Sequence, residues 1–287
     1  MKPTQNFLAI FSFFVFLAGG SALKAGGWTQ PEGGAFTKIG VMFTQATGVY
    51  DAHGEVTRIR TLSSYTTSFY GEYGFTKRLT GIAYVPFFVR NTLNRTVGRT
   101  TGNEIEPGAA NNALGDADLG IRVGLITSPF VLSVSATLGV PIGDYQDPNA
   151  LLTGDGEWNQ LIKLEAGFGT RQWYMTGYVG INNRTRGFSE EFRYEIEGGV
   201  KFWKERFLFS FKLSGVESLN NGNAVSNGMG LFANNVSFTA FTPELSYVHN
   251  DRWGITLGYL SAFRGVNVLA APAYTGGVFL KIPGKNR

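Results

Sequence analysis

The chain has 287 residues and no cysteine. It carries 39 Gly, 24 Phe, 12 Tyr and 5 Trp, but only 16% charged residues. The lack of cysteine excludes a disulfide scaffold and a thiolate metal site, and the abundance of aromatic side chains excludes an intrinsically disordered chain. The formal net charge of +4 is too close to neutral to indicate a nucleic-acid partner.

The first 25 residues have the order of a secretory signal peptide. Lys2 precedes an apolar run from Phe7 to Gly20, and small residues follow that run. The sequence leaves two cleavage points, after Ala22 or after Ala25, and we favour Ala25, so that residues 26–287 form a single barrel domain. An uncleaved anchor helix is the alternative, although 14 apolar residues are short for a membrane span.

Twelve segments with period-two alternation follow in chain order. In a β-strand, successive side chains point to opposite faces, so alternation of apolar and polar residues predicts a strand with two different faces. In the clearest segment, Ile196 lies on the apolar face while Glu195 and Glu197 lie on the polar face. Pro86 and Pro243 interrupt the third and tenth segments, because proline removes a donor from the sheet ladder. The predicted strands are 33–46, 59–73, 79–91, 115–127, 130–141, 158–169, 172–182, 190–202, 206–216, 236–248, 252–262 and 273–282.

Short and long connections alternate between these strands, and aromatic residues such as Trp173, Trp203 and Trp253 lie beside the short ones. Short periplasmic turns, long extracellular loops, an even strand number and aromatic girdles are typical of outer-membrane barrels. We therefore predict an all-β fold, a closed antiparallel transmembrane β-barrel of about 12 strands in the cell outer membrane. A soluble β-sandwich is the alternative, but it would not need a polar second face on nearly every strand.

Several glycine-rich stretches resemble a family of Gram-negative outer-membrane proteins named XagA-like or "transporter". These proteins are distant relatives of barrels assigned to a phenol-degradation meta pathway. The resemblance covers essentially the whole chain after the signal peptide, and it implies an outer-membrane barrel and passive transport, with no established substrate. The stretches include Gly27-Trp28-Thr29-Gln30-Pro31, Tyr70-Gly71-Glu72-Tyr73-Gly74-Phe75-Thr76, Gly115-Asp116-Ala117-Asp118-Leu119-Gly120, Pro141-Ile142-Gly143-Asp144 and Gly154-Asp155-Gly156-Glu157.

Charged and aromatic residues on the inward faces are the predicted pore lining. Both signs of charge occur in close register, which leaves two readings open: a wet, ion-lined pore, or an internal salt-bridge network that plugs the barrel. Twelve strands fall between the eight that side chains just fill and the sixteen that leave an open channel, so the loop at 92–114 is also a candidate for closing the lumen. The predicted lining residues are Lys38, Glu72, Asp116, Asp118, Arg122, Lys163, Glu165, Tyr174, Tyr178, Arg193, Glu195, Glu197, Lys201, Lys212 and Lys281.

Other candidate sites carry weaker signals. His53 and His249 have no convincing Ser partner, so we predict neither a catalytic site nor a cofactor. Asp147, Asp155 and Glu157 are either calcium ligands in a loop or solvated loop residues, and no metal site is predicted from them. Arginines gather at the extracellular end, where they either form a vestibule for anions or contact the phosphates of lipopolysaccharide; they are Arg58, Arg60, Arg90, Arg95, Arg99, Arg184 and Arg186.

The sequence thus favours a channel that passes small solutes passively, with hydrophobic or aromatic solutes among the candidates. The alternative is a surface structural or interaction barrel with a plugged lumen, and an enzyme acting on lipid ranks third. The expected partners are outer-membrane lipid, lipopolysaccharide and a small solute, and the sequence gives no oligomeric state.

Overall fold

A computed structural model describes residues 26–225, 230–250 and 252–285. The predicted signal peptide, residues 1–25, lies outside the described residues. Within the described ranges, no helix is long and apolar enough to cross a membrane. The strands in chain order are β1 Ala35–Tyr50, β2 Val56–Gly74, β3 Leu79–Leu93, β4 Thr96–Val97, β5 Glu104–Glu106, β6 Ala109–Ala113, β7 Ala117–Ile126, β8 Phe130–Val140, β9 Asn159–Gly169, β10 Trp173–Arg184, β11 Glu191–Phe202, β12 Phe207–Ser218, β13 Ser237–Val248, β14 Trp253–Val266, β15 Val268–Leu269 and β16 Ala273–Ile282.

Twelve of these strands form one closed antiparallel barrel. Each pairs with its neighbours along the ring, and β1 pairs with both β2 and β16, so the sheet has no free edge. The predicted fold class and strand number are confirmed. A closed ring satisfies every ladder donor and acceptor within the wall, which is the condition that hydrocarbon imposes on a spanning sheet.

The two faces of the wall differ as the alternation predicts. In β11, Ile196 is 46% exposed on the outside, whereas Glu197 is 6% exposed on the inside. The outer surface also carries a row of aromatic rings in contact across four neighbouring strands, from Phe211 through Phe241 and Tyr259 to Tyr274, with centroids 5.6–6.3 Å apart. Such an exposed apolar surface with rows of aromatic rings is favourable in contact with lipid but unfavourable in contact with water.

The strands extend further on the extracellular side than the sequence predicted. β1 and β2 continue until residues 51–55 alone connect them, and β15 pairs with the end of β1 at Val49 and Tyr50. The predicted long loops at 47–58 and 263–272 are therefore wrong in extent. The strands lengthen because the added residues of β1, β2 and β15 satisfy one another's backbone N–H and C=O groups.

Both predicted strand interruptions are accommodated within continuous strands. Opposite Pro86, the β2–β3 register shifts between Thr67 and Phe69, and the Pro86 carbonyl accepts a hydrogen bond from Gly115 N at 2.8 Å. Pro243 keeps its place opposite Phe211 in β12. The strands that contain the two prolines therefore stay paired with their neighbours, and the barrel remains closed.

The apolar core of the described residues lies at the extracellular end of the barrel. Leu62, Leu93 and Leu151 are buried together, and Leu231 and Leu269 pack against them. Two of these residues, Leu151 and Leu231, come from loops and not from the barrel strands. Loops therefore fold inward and fill this end of the lumen.

Candidate functional site: the lumen

The periplasmic half of the lumen contains a cavity of about 1270 Å³. The short turns Gly74–Leu79 and Ile126–Phe130 mark the periplasmic end, and Lys77 and Thr127 from these turns line the cavity. The cavity extends from this rim to the level of Met42 and Leu260. A space of this size exceeds the roughly 300–1,000 Å³ of a typical small-molecule site in a soluble protein.

One wall of the cavity holds a buried ion cluster centred on Arg122 in β7. The guanidinium lies 3.1 Å from Glu72 and 2.7 Å from Glu165, and Lys163 Nζ lies 3.1 Å from Glu165. The Tyr70 hydroxyl donates to Glu72 at 2.5 Å. Because each buried charge has an opposite partner and hydrogen bonds, the cluster is compatible with a low-dielectric wall.

The facing wall holds a second cluster around Lys212 in β12. Its ammonium group lies 3.5 Å from Glu195 and 3.4 Å from Glu197, and the Tyr174 hydroxyl donates to Glu197 at 2.5 Å. The side chains of Lys212 and Glu195 remain partly exposed to the cavity, at 33% and 20%. These charges therefore face the cavity.

Between the two clusters, the lining is aromatic and hydroxylic. Lys38 Nζ pairs with Glu244 at 3.3 Å, and Lys163 Nζ lies 4.9 Å from the centre of the Tyr178 ring. The aromatic lining residues are Trp28, Phe36, Tyr70, Tyr84, Tyr174, Tyr178 and Phe279. The hydroxyl-bearing ones include Thr66, Ser68, Ser210, Ser214, Ser246, Thr256 and Thr275.

The amino-terminal strap, residues 26–31, lies inside the barrel against the Arg122 wall. Gly27 N lies 3.4 Å from the Thr176 hydroxyl, the Gly27 carbonyl accepts from Ser133, and the Trp28 carbonyl accepts from Arg122 at 3.1 Å. No alternation or charge pattern in residues 26–31 predicts this placement. Its one signal was the pair of glycines before Trp28, which permits close approach to a wall.

The roof loop, residues 142–157, folds over the extracellular end. Asp116 organises it, because this carboxylate accepts hydrogen bonds from Gly143 N at 2.8 Å and Asp155 N at 2.9 Å. The Asn91 side chain donates to the Leu152 carbonyl at 2.6 Å. Loop 92–114, one of the candidates for closing the lumen, does not form this roof: β4 and β5 form a hairpin there, and β6 pairs with β3 as part of the wall.

Arg184 at the end of β10 ties the roof loop to the wall. Its three guanidinium nitrogens contact three carboxylates: Asp155 at 2.9 Å, Glu157 at 2.6 Å and Glu191 at 2.8 Å. Arg184 is 5% exposed and Glu157 is fully buried. Asp155 and Glu157 are therefore neither calcium ligands nor solvated loop residues, and Arg184 is not a lipopolysaccharide contact, because Arg184 forms salt bridges with these carboxylates inside the protein.

Two carboxyl groups of this region titrate above their usual range. Burial, aided by the nearby Asp155 carboxylate, raises the pKa of Asp116 to about 6. Burial also raises the pKa of Glu157 to about 7, with Arg184 opposing the rise. An acid whose pKa is higher in the folded state stabilises the fold most at low pH, so the docked roof loop is favoured by acid.

The structure places eleven of the fifteen predicted lining residues around the cavity; whether they line a conducting route stays a prediction. These eleven are Lys38, Glu72, Arg122, Lys163, Glu165, Tyr174, Tyr178, Glu195, Glu197, Lys212 and Lys281. Asp118, Arg193 and Lys201 are not among its lining residues in the described part of the chain. The alternation predicts that Asp116 belongs to a strand beginning at 115, but β7 begins at Ala117, and the Asp116 side chain binds the roof loop.

No protein-family model matches the chain, and no curated protein matches it. Among solved structures, the chain is similar to the COG4313 outer membrane channel from Pseudomonas putida F1, with 13% identity and a TM-score of 0.66, over 89% of this chain and 98% of that one. The translocator domain of autotransporter NalP from Neisseria meningitidis has 11% identity and a TM-score of 0.49, with 87% and 88% covered. The KdgM porin in complex with disordered oligogalacturonate has 9% identity and a TM-score of 0.48, with 85% and 99% covered. The similarity to the first structure independently supports the fold, that of an outer-membrane β-barrel.

Proposed function

We propose that the chain is an outer-membrane channel through which small solutes cross passively. The observation that carries the proposal is the cavity of about 1270 Å³ inside a closed barrel, lined by charged, hydroxylic and aromatic side chains. A barrel that served only as an anchor would fill this volume with side chains, as narrow barrels do. Paired charges of both signs can interact with polar or zwitterionic groups. Because each charge already has a partner, the lining does not bind a single ion so tightly that it cannot leave.

Small aromatic solutes fit this lining best. Seven aromatic side chains face the cavity. Tyr174 and Tyr178 both point inward from β10, with one other inward-facing residue, Thr176, between them. Aromatic pairs gain free energy from edge and face contacts beyond simple burial. Lys38 and Lys212 lie nearby for a polar substituent. This proposal agrees with the XagA-like resemblance, whose distant relatives are assigned to a phenol-degradation pathway, and we propose membership of that family on the same ground.

The expected partners follow from the surface. The apolar outer band contacts outer-membrane lipid, and the exposed arginines Arg58, Arg95 and Arg99 lie at the extracellular end, where lipopolysaccharide phosphates are the matching anions.

A second candidate function, a surface interaction barrel with a plugged lumen, is favoured by the roof loop. Leu151, Thr153 and Glu157 of this loop are fully buried, so the extracellular end is packed. The channel proposal requires the roof loop to move or to leave a path beside it, whereas the interaction proposal requires neither.

Recordings from the refolded protein in a planar lipid bilayer separate these functions. The channel proposal predicts stepwise currents from protein that migrates as a folded barrel on an unboiled gel. Folded, inserted protein that produces no steps between pH 5 and pH 8 would instead favour the plugged barrel. An assay of phospholipid hydrolysis on the same sample tests the enzyme alternative.

The solute class is tested with phenol and cyclohexanol, which share size and a hydroxyl group but differ in aromaticity. We expect phenol to interrupt the ionic current at a lower concentration than cyclohexanol. Equal potency of the two would contradict the aromatic preference and leave the channel proposal intact.

A further inference from the structure

The periplasmic end of the barrel carries an excess of basic side chains. Among the described residues, the short turns and the segments that flank the barrel at this end hold more basic than acidic residues. The basic ones are Lys77, Arg78, Arg171, Lys204, Arg206, Arg252 and Lys285, and the acidic ones are Glu32 and Glu205. An excess of one sign of charge at one end attracts molecules of the opposite charge.

Four of these cations lie on three consecutive turns of the ring, and we call them the basic crescent. Arg171 lies between β9 and β10, Lys204 and Arg206 between β11 and β12, and Arg252 between β13 and β14. All four are exposed, and none is among the lining residues of the cavity. Arg171 Nε lies 2.6 Å from Glu205, a contact that joins the first two turns.

Each turn of the crescent also has a tryptophan, one or two residues from its nearest cation. Trp173 and Trp203 are 43% and 73% exposed, and Trp253 lies on the same outward face of β14 as Ile255. Tryptophan concentrates at the headgroup level of a membrane interface. Because successive residues of a strand rise about 3.3 Å, the cations lie within about 7 Å of that level. Their long side chains can therefore reach headgroup phosphates.

Aromatic rings in contact link two of these tryptophans along the rim. The ring centroids of Trp203 and Phe207 are 5.8 Å apart, and those of Phe207 and Tyr247 are 5.3 Å apart. His249 lies between Tyr247 and Trp253, at 6.3 Å and 4.5 Å. The aromatic belt is thus continuous from the β11–β12 turn to the β13–β14 turn, so the cations of both turns lie at one level of the membrane.

The turn between β11 and β12 holds its side chains on a strained backbone. Trp203, Lys204 and Glu205 have φ angles of +46°, +56° and +63°. Residues with a Cβ atom rarely adopt this left-handed conformation, which glycine and asparagine adopt at lower cost. Because the strained turn presents the exposed side chains of Trp203 and Lys204, the strain points to a use for these two side chains.

We propose that the basic crescent binds the phosphate groups of anionic phospholipids in the inner leaflet of the outer membrane. Arginine and lysine form charge-assisted hydrogen bonds with phosphate oxygens, and basic residues at a bilayer surface are attracted to anionic headgroups. A soluble anion would not require tryptophans on the lipid-facing side of the same turns. The inference concerns the outside of the barrel, so it does not depend on the proposed channel function.

Lipid binding to the refolded protein in detergent tests the proposal. Dioleoyl phosphatidylglycerol and dioleoyl phosphatidylcholine have the same acyl chains and differ in the net charge of the headgroup, and native mass spectrometry measures the binding of each. We expect the wild type to prefer phosphatidylglycerol, with a preference that decreases as the salt concentration rises. Equal binding of the two lipids by the wild type would overturn the proposal.

A triple variant tests the residues. Lys204→Gln/Arg206→Gln/Arg252→Gln removes three cations from the crescent and keeps the ion pair between Arg171 and Glu205. We expect the preference for phosphatidylglycerol to fall by roughly fivefold for each cation removed. A folded triple variant that keeps the preference of the wild type would overturn the proposal.

The matched control removes three cations from the opposite end of the barrel. Arg58→Gln/Arg95→Gln/Arg99→Gln changes three exposed positions at the extracellular end and alters the net charge by the same amount. We expect this control to keep the lipid preference of the wild type. Equal losses in the two triple variants would show attraction to overall charge in place of a site, and would also overturn the proposal.

The depth of the crescent is tested by spin labels, since the chain contains no cysteine. Lys204→Cys places a nitroxide label at the periplasmic rim, and Asn103→Cys places one in the extracellular hairpin between β4 and β5. In vesicles, relaxation of each label by oxygen and by a water-soluble nickel complex measures its depth. We expect the label at position 204 to lie at the level of the phosphates and the label at position 103 to lie in water. A label at position 204 in water beyond the headgroups would overturn the proposal and favour a soluble anionic partner.

Discussion

The two halves of the lumen are enclosed by the same twelve strands and differ in what fills them. In the periplasmic half, wall side chains pair across short distances, as Arg122 does with Glu72 and Glu165, and leave a cavity. In the extracellular half, the roof loop enters the barrel, where Leu151 packs against Leu62 and Leu93. The wall thus fixes the diameter, while the segments that fold into it determine which half has free space.

The difference also appears in how charge is held. Lys212 in the periplasmic half stays partly exposed between its two carboxylates, whereas Arg184 in the extracellular half is buried among three. When one partner of a partly hydrated ion pair is removed, water can solvate the charge that remains. When a buried cation is removed, the carboxylates around it keep charges that nothing compensates. We therefore expect the two halves to respond differently to loss of charge.

The largest effect is expected from Arg184→Met. Removing the cation leaves Asp155, Glu157 and Glu191 without their common partner, and the expected loss is about 3–5 kcal/mol of unfolding free energy. Urea unfolding of the refolded barrel measures it, with Arg99→Gln in an exposed loop as the control. A stability equal to that of the control would mean that the roof loop is not held by Arg184.

The next effect concerns the wall shared by both halves. Ile196→Arg places a charge on the lipid face of β11, with an expected cost of roughly 2–4 kcal/mol near the bilayer midplane. The control is Val225→Arg in an extracellular loop, where the side chain is already exposed to water. The assignment of faces would be wrong if both variants folded equally well in lipid vesicles.

A smaller effect is expected from pH in the extracellular half. The pKa values of Asp116 and Glu157 are raised to about 6 and about 7. Their stabilising contribution is complete below pH 4 and is lost as the pH rises through 6 and 7. As the pH is raised from 5 to 8, ionisation of these two groups should therefore lower the temperature at which the folded gel band disappears.

Asp116→Asn should reduce this pH dependence, because the amide does not ionise. Asp51→Asn is the matched control: backbone hydrogen bonds from His53 and Glu55 hold the pKa of Asp51 below its usual range, so this carboxylate stays ionised throughout the scan. An identical pH dependence in wild type and Asp116→Asn would remove Asp116 from the explanation.

The smallest effect is expected from the Glu195→Gln/Glu197→Gln double variant in the periplasmic half. Gln keeps the size and an acceptor for Tyr174 and Lys212, so folding should persist while the cation preference of the current shifts toward anions. The reversal potential in a salt gradient measures the shift, with Glu104→Gln in an extracellular hairpin as the control. Unchanged selectivity in a conducting double variant would place these carboxylates off the ion route.

The sequence predicted the wall well and the lumen filling poorly. Period-two alternation is a local signal, so β11 could be read with both faces correct from Glu195, Ile196 and Glu197. The roof loop is held by Asp116 and Arg184, which lie 27 to 39 residues along the chain from the roof-loop groups they bind. The strap is held through main-chain groups of Gly27 and Trp28, which leave no pattern in the side chains.

The most direct test of the account uses the absence of cysteine from the chain. Ser214→Cys places a thiol on the cavity wall, whereas Ser63→Cys places one in a fully packed position near the roof. During single-channel recording, a charged methanethiosulfonate reagent added from the periplasmic side should step the current down in Ser214→Cys and leave Ser63→Cys unchanged. A current in Ser214→Cys that is unaffected after the thiol has been labelled would contradict the claim that this cavity lies on the solute route.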